Sequence, residues 1–243
     1  MIIDMHTHFG VDVDGERVEL RDILLQKEKN QLDYIVAFPF NCVDLLGESQ
    51  KILRLSQEYN FIIPFLRFDP KTITPRQLDE ALSLPYKGVK LHPLSQQFYP
   101  DDPVIAWIYP KIVQKNIPVL FHCNTSCYEP MSHPVRMRRV AEAFPALTVI
   151  VGHGAGGEME SIKEIFLCPN VYVETSVDGY ARFFERAQEM GFDRFMFGSD
   201  FPYTSIDIEL MKIERAAISG QMKEKMLYEN AVKILKLDKS SLK

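Results

Sequence analysis

Cysteine is sparse in this 243-residue chain: four residues (Cys42, Cys123, Cys127, Cys168) stand at no framework spacing. That excludes a disulfide-stapled scaffold and predicts free thiols in a reducing compartment. Cys123-x-x-x-Cys127 follows a histidine, so a zinc pair there is a minor reading. Basic residues are also short, with 28 Lys+Arg against 33 Asp+Glu and a net charge of −5. Such a balance offers no basic face to a nucleic-acid backbone, and no nucleic-acid partner is expected. No apolar run is long enough to span a bilayer, so no membrane partner is expected either. The opening residues lack the basic and apolar regions of a signal peptide, which makes a cytoplasmic location the expectation. Asn124-Thr125-Ser126 fits a glycosylation pattern, read here as accidental.

Nor is there a Gly/Ser-rich linker, a low-complexity tract or a shift in composition. A single domain over residues 1–243 is the expectation, at a length that α/β barrels reach as one unit. Hydrophobic residues at 46% and charged residues at 25% are ordinary for a globular protein.

What the chain does have is alternation. The short run Met1 to Met5 leads into His6-Thr7-His8 and suits a buried strand. Helical spacing follows over Glu19 to Gln31, then a β-rich run from Asp33 to Phe38. The pattern repeats as helix Gly47 to Tyr59, strand Phe61 to Arg67, helix Pro75 to Leu84 and strand Gly88 to His92. Helix Pro103 to Lys115, strand Ile117 to His122, helix Pro134 to Phe144 and strand Leu147 to Gly152 come next. Helix Glu158 to Phe166, strand Val171 to Glu174, helix Gly179 to Met190, strand Arg194 to Phe197 and helix Ile206 to Ala217 complete the series. An extra helix, Met222 to Leu237, closes the chain. About eight strands, each followed by a helix, imply a parallel sheet covered on both sides. The predicted fold is an α/β (β/α)8 TIM barrel, with a doubly wound open sheet as the alternative.

The polar residues sit at telling addresses. His6 and His8 end the first strand, Arg67 the third, Lys90 and His92 the fourth, and His122 the fifth. His153 follows the sixth, Glu174 ends the seventh, and Asp200 follows the eighth. Five of the six histidines lie at such ends; His133, at a helix start, does not. In a barrel those carboxyl ends form the active-site face. Residues two apart on a strand share a face, so His6 and His8 converge as two ligands of one metal need to.

These segments resemble the amidohydrolase superfamily, in its amidohydrolase-related branch. The resemblance rests on Asp4-Met5-His6-Thr7-His8, Gly88-Val89-Lys90-Leu91-His92-Pro93, Phe121-His122, Gly152-His153-Gly154 and Gly198-Ser199-Asp200-Phe201-Pro202. Glu229-Asn230-Ala231 resembles the family's terminal helix, so the likeness spans essentially the whole chain. It implies that His6, His8, His122 and Asp200 surround one divalent metal, zinc first and manganese second. Asp200 is then the general base on a metal-activated water, and His153 an acid that supports the transition state. A second metal would use His153 and a carboxylated Lys90; one metal is the favoured expectation. An unmodified Lys90 is instead a cation for an anionic substrate, as is the planar fork of Arg67. His92 is read either as a substrate contact or as a hydrogen-bond partner of a loop, and Glu174 as support for its strand end.

The leading expectation is a metal-dependent hydrolase of a small amide, ester, lactone or cyclic substrate. The alternative keeps fold and metal but removes carbon dioxide from, or hydrates, a small aromatic or unsaturated acid. Its short loops count against that alternative, because relatives of that kind carry large insertions. A metal-free ligand-binding barrel or lactonase is disfavoured because every expected ligand is present. A deoxyribonuclease is disfavoured by the acidic balance and by the lack of a glutamate at the fourth-strand position. The partner is therefore a small molecule, with a homodimer left open.

Overall fold

The computed structural model describes residues 1–126, 128–177 and 181–237. Cys127, and with it the zinc pair with Cys123, lies outside the described residues, as does the expected helix start at Gly179. Cys42 and Cys168 are free thiols.

The strands run β1 (Ile3–Val11), β2 (Arg17–Val18), β3 (Tyr34–Pro39), β4 (Ile62–Arg67), β5 (Gly88–Leu91), β6 (Val119–Phe121), β7 (Val149–Val151), β8 (Val171–Glu174) and β9 (Phe195–Met196). They form one sheet in the order β2-β1-β3-β4-β5-β6-β7-β8-β9. Every pairing from β1 and β3 onward is parallel; only the two-residue β2 is antiparallel. The segment after β9 returns to β1. Met5 N–H donates to Phe197 O at 3.0 Å, Asp200 N–H to His6 O at 2.8 Å, and His8 N–H to Phe201 O at 2.9 Å. The sheet thereby curls back on itself as a TIM barrel.

Helices α1 (Leu20–Asn30), α2 (Leu45–Glu58), α3 (Pro75–Ser83), α4 (Ile108–Lys115), α5 (Pro134–Ala143), α6 (Met159–Ile165), α7 (Ala181–Ala187) and α8 (Ile206–Arg215) follow their strands in turn. Their starts have local causes. Thr74 and Gln77 form a reciprocal capping box at α3. His133 Nδ1 accepts from Val135 N–H at 3.3 Å ahead of Pro134, so the histidine away from the strand ends is a helix cap.

Two apolar layers result from the two-residue period of a strand. Ile35, Leu66, Val89, Val119, Val149, Val171 and Phe195 belong to the layer beneath the helices. Val36, Phe38, Ile63, Phe65, Leu120, Ile150, Tyr172 and Met196 form a separate inner cluster. Ala231, Val232, Ile234 and Leu235 of the final helix join that inner cluster and close the end of the barrel away from the site. Among the described residues no helix is long and apolar enough to cross a membrane.

Three local expectations change. The first strand does not stop at His8 but runs to Val11 and turns back into β2, a hairpin in which Gly15 takes φ +99°. The expected helix from Pro103 begins only at Ile108, because the residues before it form turns. The single closing helix is three pieces: α9 (Gly220–Glu224), a wider π-helical turn (Lys225–Glu229) and α10 (Asn230–Leu235). The wide turn lets Met226 O accept from Phe197 N–H at 2.8 Å, while Asn230 Nδ2 donates to the carbonyls of Phe192 and Phe195.

Candidate metal centre and cavity

Extending the inner columns by two residues explains most of the site. Phe65 is followed on its face by Arg67, Leu120 by His122 and Tyr172 by Glu174, while Lys90 takes the inner position of β5. The first strand needs a correction to reach the same face. Ile3 and Met5 fill the barrel interior, so strict alternation would turn His6 and His8 outward. A bulge intervenes: Asp4 pairs with Ile35, but Thr7 already pairs with Ala37, one residue being extra on β1. The extra residue swaps the faces and brings both imidazoles inward.

The bulge is held by Asp4, a fully buried carboxylate. Its oxygens accept from His6 N–H (3.0 Å), Thr7 Oγ1 (3.0 Å), Ser199 N–H (2.9 Å) and Ser199 Oγ (2.6 Å). Burial nonetheless pushes its pKa up to about 6. Asp4 thus locks the loop carrying Asp200 against the strand carrying the histidines.

At the centre, Asp200 Oδ1 lies 3.0 Å from both His6 Nε2 and His8 Nε2. His6, His153 and Asp200 each place one ligand atom within 4.8 Å of the others, and all three are buried. His153 (φ 54°) and Asp200 (φ 61°) both occupy the left-handed region, which costs a non-glycine residue energy and recurs at functional sites.

Hydrogen bonds specify the tautomers. Glu174 Oε2 stands 2.7 Å from His6 Nδ1, so that nitrogen carries the proton. His6 Nε2 faces the Asp200 carboxylate oxygen at 3.0 Å, an arrangement that calls for a positive charge between them, a proton or a metal ion. Burial and Lys90 oppose protonation of His6, yet Glu174 and Asp200 outweigh them and raise its pKa. Burial drives His8 down to about 3 and pushes His92, His122 and His153 well below the ordinary histidine value. Burial opposes the charge on Asp200, but His6 and His153 hold its pKa well below the carboxylate range. Glu174 is likewise disfavoured by burial, yet His6 draws it down to about 2. Neutral His8, His122 and His153 beside the ionised Asp200, with His6 giving up its extra proton to a bound cation, are the donor set a divalent ion takes, and the residues fit such a group. The Glu174–His6 pair is the outer support that metal-binding histidines need.

His122 is placed differently from its expected role. Its Nδ1 lies 2.8 Å from His153 Nε2, and its Nε2 lies 3.2 Å from Glu129 Oε2. Both nitrogens are occupied, and His122 is not brought into the group formed by His6, His153 and Asp200. His153 Nδ1 continues the chain to Ser176 Oγ at 2.9 Å. His92 stacks on His122 with ring centroids 3.7 Å apart, and its Nδ1 accepts from Ser95 N–H.

Two cations complete the lining. Lys90 Nζ lies 3.1 Å from His6 Nε2 and 4.8 Å from the centre of the Phe38 ring; burial lowers its pKa to about 7. Arg67, only 1% exposed, donates from Nη1 to Pro39 O and from Nη2 to Ser95 Oγ, both at 2.9 Å. These side chains, with His6, His8, His92, His122, His153 and Asp200, line one cavity of about 420 Å³. Its mouth is framed by Asp12 and Asp14 of the hairpin and by Tyr203, whose hydroxyl donates to Asp12 Oδ2 at 3.0 Å.

Several partners of these groups have little signature in the residue order. Glu174 was visible as a charge inside an apolar strand, the mark of a buried carboxylate. Asp4 and Ser199 flank the His6-Thr7-His8 and Asp200 positions, but nothing local marks them as bonded to each other. Ser176, Glu129, Ser95 and the Tyr203–Asp12 pair sit in loops where no periodicity announces them.

Set beside known proteins, the amidohydrolase family model matches residues 3–237. The chain belongs to the amidohydrolase family, in its amidohydrolase-2 branch, and is an enzyme of that branch. Solved structures share the whole fold. An uncharacterised TIM-barrel protein from Bordetella bronchiseptica superposes with a TM-score of 0.80 at 21% identity, covering 97% of this chain and 98% of its own. 2,6-Dihydroxybenzoate decarboxylase from Rhizobium gives 0.78 at 15% identity, covering 98% and 99%. 5-Carboxyvanillate decarboxylase from Novosphingobium aromaticivorans, with manganese and 4-hydroxy-3-methoxy-5-nitrobenzoic acid, gives 0.78 at 16% identity, covering 98% and 96%. No curated protein sequence matches the chain.

Proposed function

We propose that this enzyme is a metal-dependent carboxy-lyase that removes carbon dioxide from a small ring-bearing carboxylic acid. The observation that carries the reading is the buried side-chain nitrogen of Lys90, 3.1 Å from His6 Nε2 in the cavity that holds Asp200, with a pKa lowered by burial to about 7 so that an incoming carboxylate would hold it as the ammonium. A cation taken out of water beside the reacting centre favours a carboxylate substrate, whereas a neutral ester or amide gains little from it. The names of the Rhizobium and Novosphingobium neighbours, decarboxylases of substituted benzoic acids, support the same class.

His6, His8 and Asp200, with His153 or His122 beside them, would hold one divalent ion, zinc or manganese; the Novosphingobium neighbour holds manganese. When bound, the ion supplies Lewis acidity to an oxygen of the substrate. The chain's own residues supply the rest. Lys90 orients the substrate carboxylate. Tyr203, which lines the cavity edge-on to His8 with centroids 5.2 Å apart, offers an aromatic wall for a ring, and the buried Phe40 stacks behind His8 at 4.9 Å. Asp200 takes a proton from a substrate hydroxyl and delivers it to the ring carbon that the carboxyl group leaves. His153, neutral and held by Ser176 and His122, fixes the side of the cavity facing that transfer. Burial of His6, His8, Lys90 and Asp200 keeps bulk water from competing for the proton.

A hydrolytic reading of the same site rests on a different observation: Asp200 is held as a carboxylate, the form that takes a proton from water. One experiment separates the two. Manganese- or zinc-loaded enzyme is incubated with hydroxylated benzoic acids, and carbon dioxide release is followed; an ester, lactone and amide panel is titrated in parallel. Carbon dioxide without hydrolysis is expected. Hydrolysis without carbon dioxide refutes the carboxy-lyase.

A further inference from the structure

The two buried cations of the cavity are not equivalent. Lys90 and Arg67 are register partners on neighbouring strands, with their Cα atoms paired, and both project to the inner face. The Lys90 ammonium lies in the field of Asp200 and Glu174 and touches His6. The Arg67 guanidinium has no such compensation. Its bonds go to two neutral acceptors, Pro39 O and Ser95 Oγ, and its Nε is buried with no partner. Among the described residues no carboxylate forms an ion pair with it; Cys42, Asp12 and Tyr203 act on it only through their charge, without a hydrogen bond. A guanidinium is charged at any physiological pH, and an uncompensated buried charge is costly. A strut between the end of β3 and the loop after β5 needs only N–H donors, which a neutral amide supplies equally well.

The surroundings favour an anion at this place. His92 Nδ1 accepts a backbone N–H from Ser95, so the neutral ring keeps its proton on Nε2 and offers a donor to the cavity. The Ser95 hydroxyl is oriented by Arg67 itself. A planar fork, an imidazole N–H and a hydroxyl on one wall form a carboxylate cradle.

We propose that Arg67, with Ser95 and His92, forms a second anion subsite that holds a non-reacting acidic group of the substrate. The substrate class is therefore a small diacid, one carboxylate reacting near Lys90 and a second acidic group seated on Arg67. This inference rests on the carboxylic-acid reading above and narrows it.

The test compares probes that differ by one charge at constant shape. Binding of isophthalate against 3-carbamoylbenzoate, and of glutarate against glutaramate, is measured calorimetrically on the purified full chain. A charge-assisted pair in a buried site predicts a preference of roughly 10- to 100-fold for at least one diacid. Arg67→Gln, which keeps donors but removes the charge, should bring that ratio close to one, and Arg67→Lys should restore part of it. The wild-type comparison stands alone if Arg67→Gln fails to fold. Equal binding within both wild-type pairs, or a preference that survives Arg67→Gln, overturns the inference. A chain that releases carbon dioxide but shows no diacid preference loses the subsite and keeps the carboxy-lyase reading. A diacid preference without carbon dioxide release does the reverse.

Discussion

Replacing Glu174 by glutamine removes one negative charge at nearly constant volume from a fully buried position. The wild-type carboxylate contacts His6 Nδ1 at 2.7 Å and accepts from Ser176 N–H at 2.5 Å. Its pKa falls from 4.5 to about 2, because the His6 charge and hydrogen bonds outweigh the burial that opposes ionisation. At roughly 1.4 kcal/mol per pKa unit, that difference corresponds to about 3 kcal/mol of stability. Because the folded pKa is depressed, the contribution is complete above pH 4.5 and is lost as the pH falls through about 2. Glu174→Gln should therefore lose about 3 kcal/mol at pH 7, or ~6–12 °C in Tm for a chain of this length. The gap between variant and wild type should narrow as the pH drops below 4.5. Urea unfolding followed by circular dichroism across that range reads both effects. Metal affinity should fall roughly 10- to 100-fold as well, because His6 loses the partner that orients its Nε2. A variant as stable as wild type at pH 7, with unchanged metal affinity, would refute the assignment of Glu174 as the support of His6.

Three further outcomes follow from the same geometry. Asp4→Ala leaves four donors from His6, Thr7 and Ser199 without their acceptor and should cost ~3 kcal/mol or more; thermal unfolding measures it, with Asp4→Asn expected to cost less. Gly198→Ala drives a Cβ inside van der Waals contact with the Glu174 carboxylate, so it should destabilise by ~1–3 kcal/mol and lower metal content per chain. Chelator dialysis should remove activity and lower Tm, and either Mn²⁺ or Zn²⁺ at about 100 times its dissociation constant should restore ~2.7 kcal/mol. Unchanged Tm and activity after complete chelation would refute the metal centre.

Much of this molecule was legible in the order of its residues. A strand buried on both faces needs an unbroken apolar run, and runs such as Ile62–Leu66 and Val171–Val173 are ended by Arg67 and Glu174, buried charged residues that need polar partners and so mark where the apolar layers give way to the site. Those endings marked the rim of the barrel and gathered His6, His8, Lys90, His122, His153 and Asp200 as candidates for one site. Strand membership and polar address are local properties, carried by chemistry within a few residues.

What the order of residues did not decide depends on distant partners. Alternation from Ile3 and Met5 turns His6 and His8 away from the barrel interior; only the bulge between Asp4 and Thr7 reverses them. That bulge is held by Ser199, 195 residues along the chain, through bonds that no local pattern records. The tautomer of His6 depends on Glu174, 168 residues away. The occupation of His122 by Glu129 and His153 depends on two loops meeting above the barrel. Local spacing sets which face a side chain prefers, but a hydrogen bond between remote elements decides where its lone pair points.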